Sequence, residues 1–309
     1  MTKKFRLLAV GLALCLLLLP GCNKDKGENE DDFPVLMSNA TVSEPPQRVV
    51  SLSPSLTELS QDLGYAQALV GISDSCALPE GKEEDFPRCG TAQTPDMEQI
   101  QSLNAQYVLV SSNMADGQRT QLQQLGVDVI VIEPASTLEE LQQLYETLGT
   151  FYAGNVTGKA QGKQVYDQQM ASLQEVADTI SSAGKEPLVA LYAPRPAFTV
   201  ATGETLEQVF MEKLGLSNAA ASATGWFVEP EQAQALVPQV VFYGEGFTPE
   251  QVQQAYPQAG EDLSVIQADT DAIARQGSGM FQEWIRLAKA AYPDLFPQDA
   301  QGEAASQGE

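Results

Sequence analysis

The sequence predicts an α/β protein of two lobes bridged by a single long α-helix. Three observations predict it. Short apolar runs alternate with amphipathic helical stretches on both sides of the midpoint. That is the pattern of mostly parallel sheets covered by helices, and hence of two Rossmann-like lobes. The stretch MEQIQSLNAQYVLV, Met97 to Val110, moved 133 residues on, falls on PEQAQALVPQVVFY, Pro230 to Tyr243, without a gap, and six of fourteen positions agree. Between the copies, Tyr166, Met170, Leu173, Ala177 and Ile180 form one stripe at spacings of four and three. They lie on one helix of about 25 residues, roughly 38 Å long.

In chain order, Lys3, Lys4 and Arg6 precede an apolar run from Leu7 to Leu19, short for a bilayer span. The run ends in Leu19-Pro20-Gly21-Cys22, which resembles a lipobox. Residues 1–21 are therefore expected to be a lipoprotein signal peptide, with Cys22 lipidated and the protein extracytoplasmic, anchored to the cell membrane. An ordinary secretory signal is the alternative. Residues 22–46 are mostly polar and read as a flexible tether.

The first lobe, residues 47–154, opens on a strand from Arg48 to Ser53. Pro54 breaks it, and Ser55 to Glu58 reads as a capping box with Ser55 as N-cap. Next come a strand near Leu69 to Ser73, a cysteine-bearing loop, and the first repeat copy: a helix from Pro95 to Leu103 and a strand from Tyr107. A helix at Gln118 to Leu125 leads to a strand at Val127 to Ile132. Ser136 to Glu139 reads as a second capping box before a helix carrying Leu141, Tyr145 and Leu148. The connecting helix takes residues 155–183. The second lobe, residues 184–297, repeats the scheme, from a strand at Leu188 to a final helix at Gly279 to Ala291. Residues 298–309 read as a disordered tail.

All 41 acidic residues lie beyond residue 21, against 14 basic ones. Such a surface repels phosphate backbones and argues against nucleic acid as a partner. Histidine is absent, which excludes Ser-His-Asp and Cys-His catalysis and histidine-based metal sites. No phosphate-binding glycine motif occurs. No enzyme and no resident cofactor or metal are expected. Two rivals stay open: a carboxylate-based hydrolase using Asp269 and Asp271, and an adhesive or structural surface lipoprotein. Cys76 and Cys89 are expected to form a disulfide in an export compartment, worth about 3 kcal/mol in the chain-entropy model. A metal site there would need two further ligands. Ligands of parallel sheets bind beyond the carboxyl ends of strands. That selects Pro54 and Ser55, Ser73 to Cys76, and Ser112 to Gly117 with Asn113 and Met114. An exported two-lobed protein without a catalytic constellation reads as a solute trap.

The runs RVVSLSPSLTEL (from Arg48), CGTAQTPDMEQI (from Cys89), FTVATGE (from Phe198), EPEQAQAL (from Glu229) and DAIARQGSG (from Asp271) occur in one order around the long helix. In this the chain resembles the solute-binding proteins of ABC importers for iron complexes and cobalamin, over about residues 47 to 295. The resemblance implies two related lobes and a role for Glu98 and Glu231, one exposed acid per lobe docking into arginine pockets of a permease dimer that works with an ATPase. The rival for these acids is helix-dipole stabilisation after Pro95 and Pro230. The other repeated glutamines read as helix-surface filler. By position the resemblance makes Tyr192, Phe198, Trp226, Asp271 and Arg275 ligand residues, and Arg195 shares the loop of Phe198. Where cobalamin binders place first-lobe aromatics, this chain has Ser75, Ala92 and the Asn113-Met114 loop. A corrinoid and an iron–siderophore complex rank nearly equal, and haem would need Tyr192 as its axial group. Any iron or cobalt belongs to the ligand. The protein is expected to be a monomer.

Overall fold

A computed structural model describes residues 32–37, 40–76, 86–112, 114–196 and 198–297. The signal peptide, Cys22, Asn113 and the C-terminal tail lie outside the described residues.

The first elements correct the tether. β1 (Val35–Met37) and β2 (Ala40–Val42) pair antiparallel. Val35, Met37, Ala40 and Val42 are buried while Leu36 is 82% exposed, so strict alternation sits inside a segment whose average composition is polar. The pair packs against the first lobe at α4 and β6, introduced below.

The first lobe continues through β3 (Val49–Ser51), α1 (Pro54–Asp62), β4 (Leu69–Ile72), α2 (Met97–Ser102), β5 (Tyr107–Val110), α3 (Asp116–Gln124), β6 (Asp128–Val131) and α4 (Leu138–Ala153). The long helix is α5 (Lys159–Ser182), entered through one π-helical turn, Gly154–Gly158. The second lobe holds β7 (Leu188–Ala193), α6 (Leu206–Lys213), β8 (Leu216–Asn218), α7 (Pro230–Ala233), β9 (Val240–Tyr243), α8 (Pro249–Ala255), β10 (Ser264–Gln267), α9 (Thr270–Arg275) and α10 (Ser278–Ala291).

Both four-stranded sheets are wholly parallel. Their orders are β4-β3-β5-β6 and β8-β7-β9-β10, the same arrangement counted within each lobe. The repeat holds to the residue: β5 begins at Tyr107 and β9 at Val240. Two of the repeated glutamines are not filler. Gln106 Oε1 accepts the N–H groups of Gln47 and Arg48 at 2.8 and 3.0 Å, while its own N–H donates to Arg48 O at 2.8 Å. Gln239 Oε1 accepts the N–H of Val189 at 2.8 Å, and its N–H donates to Val189 O at 2.7 Å. Each glutamine ties the start of its strand to the start of the lobe's first strand.

Both capping boxes move by one or two residues. Ser53 caps α1, its Oγ accepting from Leu56 N at 3.3 Å, because Pro54 suits the first helical position with its fixed φ and missing N–H. Thr137 caps α4, and Glu140 reaches back to Ser136 N at 2.8 Å. Pro95 lies ahead of α2, whose cap is Asp96.

On α5 the predicted stripe faces inward: Tyr166, Leu173, Ala177 and Ile180 are buried and Met170 half-buried. α4 and α5 meet at glycines. A Cβ on Gly158 would lie 2.0 Å from Gly149 O, and one on Gly149 2.2 Å from Gly158 O, so neither position has room for a side chain. One apolar cluster runs through both lobes, from Leu56, Tyr145 and Phe151 to Phe210, Phe242 and Trp284. The Trp284 ring lies 5.5 Å from Tyr192, 6.1 Å from Phe210 and 6.2 Å from Phe242. No helix among the described residues is long and apolar enough to cross a membrane.

Candidate ligand cleft and interlobe contacts

In both sheets the strand order reverses between the lobe's first and third strands, β3 and β5 or β7 and β9. Loops leaving the carboxyl ends at such a point are where open parallel sheets bind ligands. In the second lobe these loops press together: a Cβ on Gly244, after β9, would lie 2.1 Å from Pro194 O, after β7.

The β7 loop is braced by a second segment. Thr199 forms isolated bridges with both Arg195 and Phe227. Val200 N donates to Trp226 O and Val228 N to Phe198 O, each at 3.2 Å. Phe198 and Trp226 both have φ of 60°, a left-handed conformation costly for bulky side chains. Such strain persists only where surroundings enforce it and concentrates at binding sites. Here the ladder bonds, and Trp226 N donating to Thr202 Oγ1 at 3.2 Å, enforce it. Phe198 and Trp226 are half-buried, each packed against a core cluster. The neighbouring Phe227 is 43% exposed. The sequence reading missed it, although an adjacent aromatic pair in an aperiodic loop was the available signal.

Other expected ligand residues separate. Tyr192 is 2% exposed and packed in the core with its ring tilted against that of Trp284, and burial pushes its hydroxyl pKa up, so it lies in the core rather than on the cleft surface. Met114 is 3% exposed inside the first-lobe core. Arg195 and Asp271 are exposed and Pro54 is half-buried.

Ser55 and Arg275 are joined, but to each other's lobe. Ser55 Oγ donates to Arg275 O at 2.6 Å. The Arg275 Nε donates to Glu58 Oε2 at 2.5 Å, with side-chain exposures of 24% and 20%. Glu58 Oε1 accepts from Gly279 N at 2.9 Å. One turn on, Asp62 accepts from the N and Oγ of Ser278, both at 2.7 Å. α10 has Gly277 at its N-cap and no side-chain cap of its own, so two carboxylates of α1 satisfy its first amides from the other lobe. Burial pushes the Asp62 carboxyl above its ordinary pKa and the Glu58 charge adds to this, against the two Ser278 hydrogen bonds. Gln276, at φ 58°, exchanges two hydrogen bonds with Ala135, at 2.8 and 2.7 Å. Loops from the carboxyl ends of both sheets thus meet at this seam.

The expected disulfide is absent. Cys76 and Cys89 are free and separately buried. Cys76 Sγ approaches Thr57 Oγ1 at 3.4 Å, whereas Cys89 sits in a first-lobe core cluster near Pro87 O, under Gly71. Burial raises both thiol pKa values, that of Cys89 to about 12. Among the described residues no group of three or more metal-ligating side chains gathers. Glu98 and Glu231 are exposed in the first turns of α2 and α7.

The periplasmic binding protein family model matches residues 49–254. An uncharacterized ABC transporter substrate-binding lipoprotein of Bacillus subtilis, YvrC, is 24% identical over 306 residues, covering 92% of this chain and 96% of that protein. The vitamin B12-binding protein of Pectobacterium atrosepticum is 26% identical over 239 residues, covering 75% of this chain and 84% of the other. A possible iron-binding (periplasmic solute-binding) protein from Staphylococcus epidermidis superposes with a TM-score of 0.66 at 18% identity, over 80% of this chain and 98% of that one, and so shares the fold. With the two parallel sheets and the long helix between them, these findings carry one conclusion: this chain belongs to the periplasmic binding protein family, the binding proteins of ABC transporters.

Proposed function

We propose that the protein captures a corrinoid between its lobes and delivers it to an ABC importer, held outside the membrane by lipid on Cys22. The observation that carries the ligand class is the second-lobe aromatic group, Phe198, Trp226 and Phe227, held beyond the carboxyl end of β7 with two aromatics in a strained backbone conformation. Flat aromatic area suits a large macrocycle with few charges. Vitamin B12-binding relatives support the same class. A neutral ferric hydroxamate is the second reading. It is favoured by the pairing of Arg275 with Glu58, which leaves little positive charge for an anionic chelate. Delivery would use Glu98 and Glu231 as paired docking acids on a permease dimer.

The test is an absorption titration of the purified mature protein with cyanocobalamin. Saturable binding below about micromolar Kd, roughly −8 kcal/mol, is the expected result. Binding of a neutral ferric trihydroxamate alone would replace the corrinoid by the second reading. Binding of neither would leave the surface-lipoprotein alternative.

A further inference from the structure

Among the described residues the carboxyl-end loops carry few cations, and the protein occupies two of them itself. Arg88, beyond β4, gives its Nη1 to the carbonyls of Ser73 and Cys76 at 2.9 and 2.7 Å. Arg275, beyond β10, is taken by Glu58 of the opposite lobe at 2.5 Å. Arg195 is exposed. The seat of Glu58 is shaped for its carboxylate. A Cβ on Gly277 would lie 2.6 Å from Glu58 Oε1 and one on Gly279 2.9 Å from it, so a side chain at either position would push the carboxylate from its present place. Gly279 N and the guanidinium then bind one carboxylate oxygen each. A surface ion pair would need no such notch.

We propose that Glu58 is a specificity-determining residue. By holding the Arg275 guanidinium from across the lobes, it withdraws that charge from the ligand and turns the cleft against anionic chelates. This rests on the reading that the cleft takes a metal chelate. An anionic ligand reaching Arg275 must displace a preorganised carboxylate from both the guanidinium and the α10 amide, whereas a neutral one leaves the pair intact.

The experiment compares wild type, Glu58→Gln and the double variant Glu58→Gln/Arg275→Gln. Glutamine keeps an oxygen for Gly279 N and removes the charge. First, arginine modification by phenylglyoxal is followed by mass spectrometry. In wild type, Arg275 is expected to react at least about tenfold more slowly than Arg195, and in Glu58→Gln that gap should narrow. Second, affinities are measured for a trianionic ferric triscatecholate and a neutral ferric trihydroxamate. Their ratio should shift toward the anion by at least about tenfold in Glu58→Gln and return in the double variant. Equal reactivity of the two arginines in wild type, an unmoved affinity ratio, or a gain that survives in the double variant overturns the proposal. If neither chelate nor cyanocobalamin binds any of the proteins, the transport reading falls. The specificity role falls with it, and a protection pattern as expected then marks the pair as purely structural.

Discussion

Gln106 and Gln239 stand one residue ahead of β5 and β9 and bind the start of the adjacent first strand through both side chain and backbone. Replacing either by alanine is expected to cost about 1 kcal/mol for each side-chain bond lost. Gln106 accepts two and Gln239 one, so Gln106→Ala should lower the urea midpoint more. An equal or reversed order would count against this. Asp62 gives a prediction in pH. Its folded pKa is raised above the ordinary 3.8, so the folded state holds the proton more tightly than the unfolded chain. That contribution is complete below 3.8 and is lost as pH rises through the folded value. Asp62→Asn carries no such step. Thermal midpoints should therefore move in the variant's favour from acid to neutral pH, above a constant offset for the lost acceptor. A gap independent of pH would refute this. Residue roles were the least legible level in the sequence. Tyr192 ends a strand, as a ligand residue would, but strand alternation does not tell which face a cleft occupies. Ser55 and Glu58 match a capping box, yet Pro54 moves the cap to Ser53 and frees both for the other lobe.

At the level of elements the sequence was far more telling. Strand and helix patterns located the β3 to β7 strands within one or two residues, because buried parallel strands are continuous apolar runs. Where the signal was brief it failed. β8 and the β1–β2 pair are three residues each, too short for alternation to rise above polar flanks. The pair nonetheless buries Val35, Met37 and Val42. A chain lacking residues up to 45 should lose on the order of 5 kcal/mol in denaturant unfolding, from about 1.5–3 kcal/mol per large side chain. No loss would mean that the hairpin is an ornament. The first turns of α2 and α7 present Glu98 and Glu231 at matched places in the two lobes. With both reversed to lysine, uptake by cells is expected to stop while the purified protein keeps its ligand affinity. Uptake at the normal rate would exclude the docking role.

Across the whole molecule, the lobes are joined by the connecting helix, by the seam at Glu58, Asp62 and Gln276, and by an apolar cluster drawn from both. Calorimetry should accordingly show one unfolding transition rather than two, and a separate second peak would show that the lobes are independent. The contact of Gly149 with Gly158 sits at one end of a helix 24 residues long. It works as a fulcrum. A tilt of about 10° forced there by a single methyl group would carry the far end of an arm of about 36 Å sideways by roughly 6 Å. At that far end Ile180 packs on the second lobe so closely that a Cβ on Gly215 would lie 2.8 Å from its Cγ2. Two glycines chosen for their lack of side chains thus set the alignment of surfaces more than thirty ångströms away, as a pivot sets the meeting of two blades.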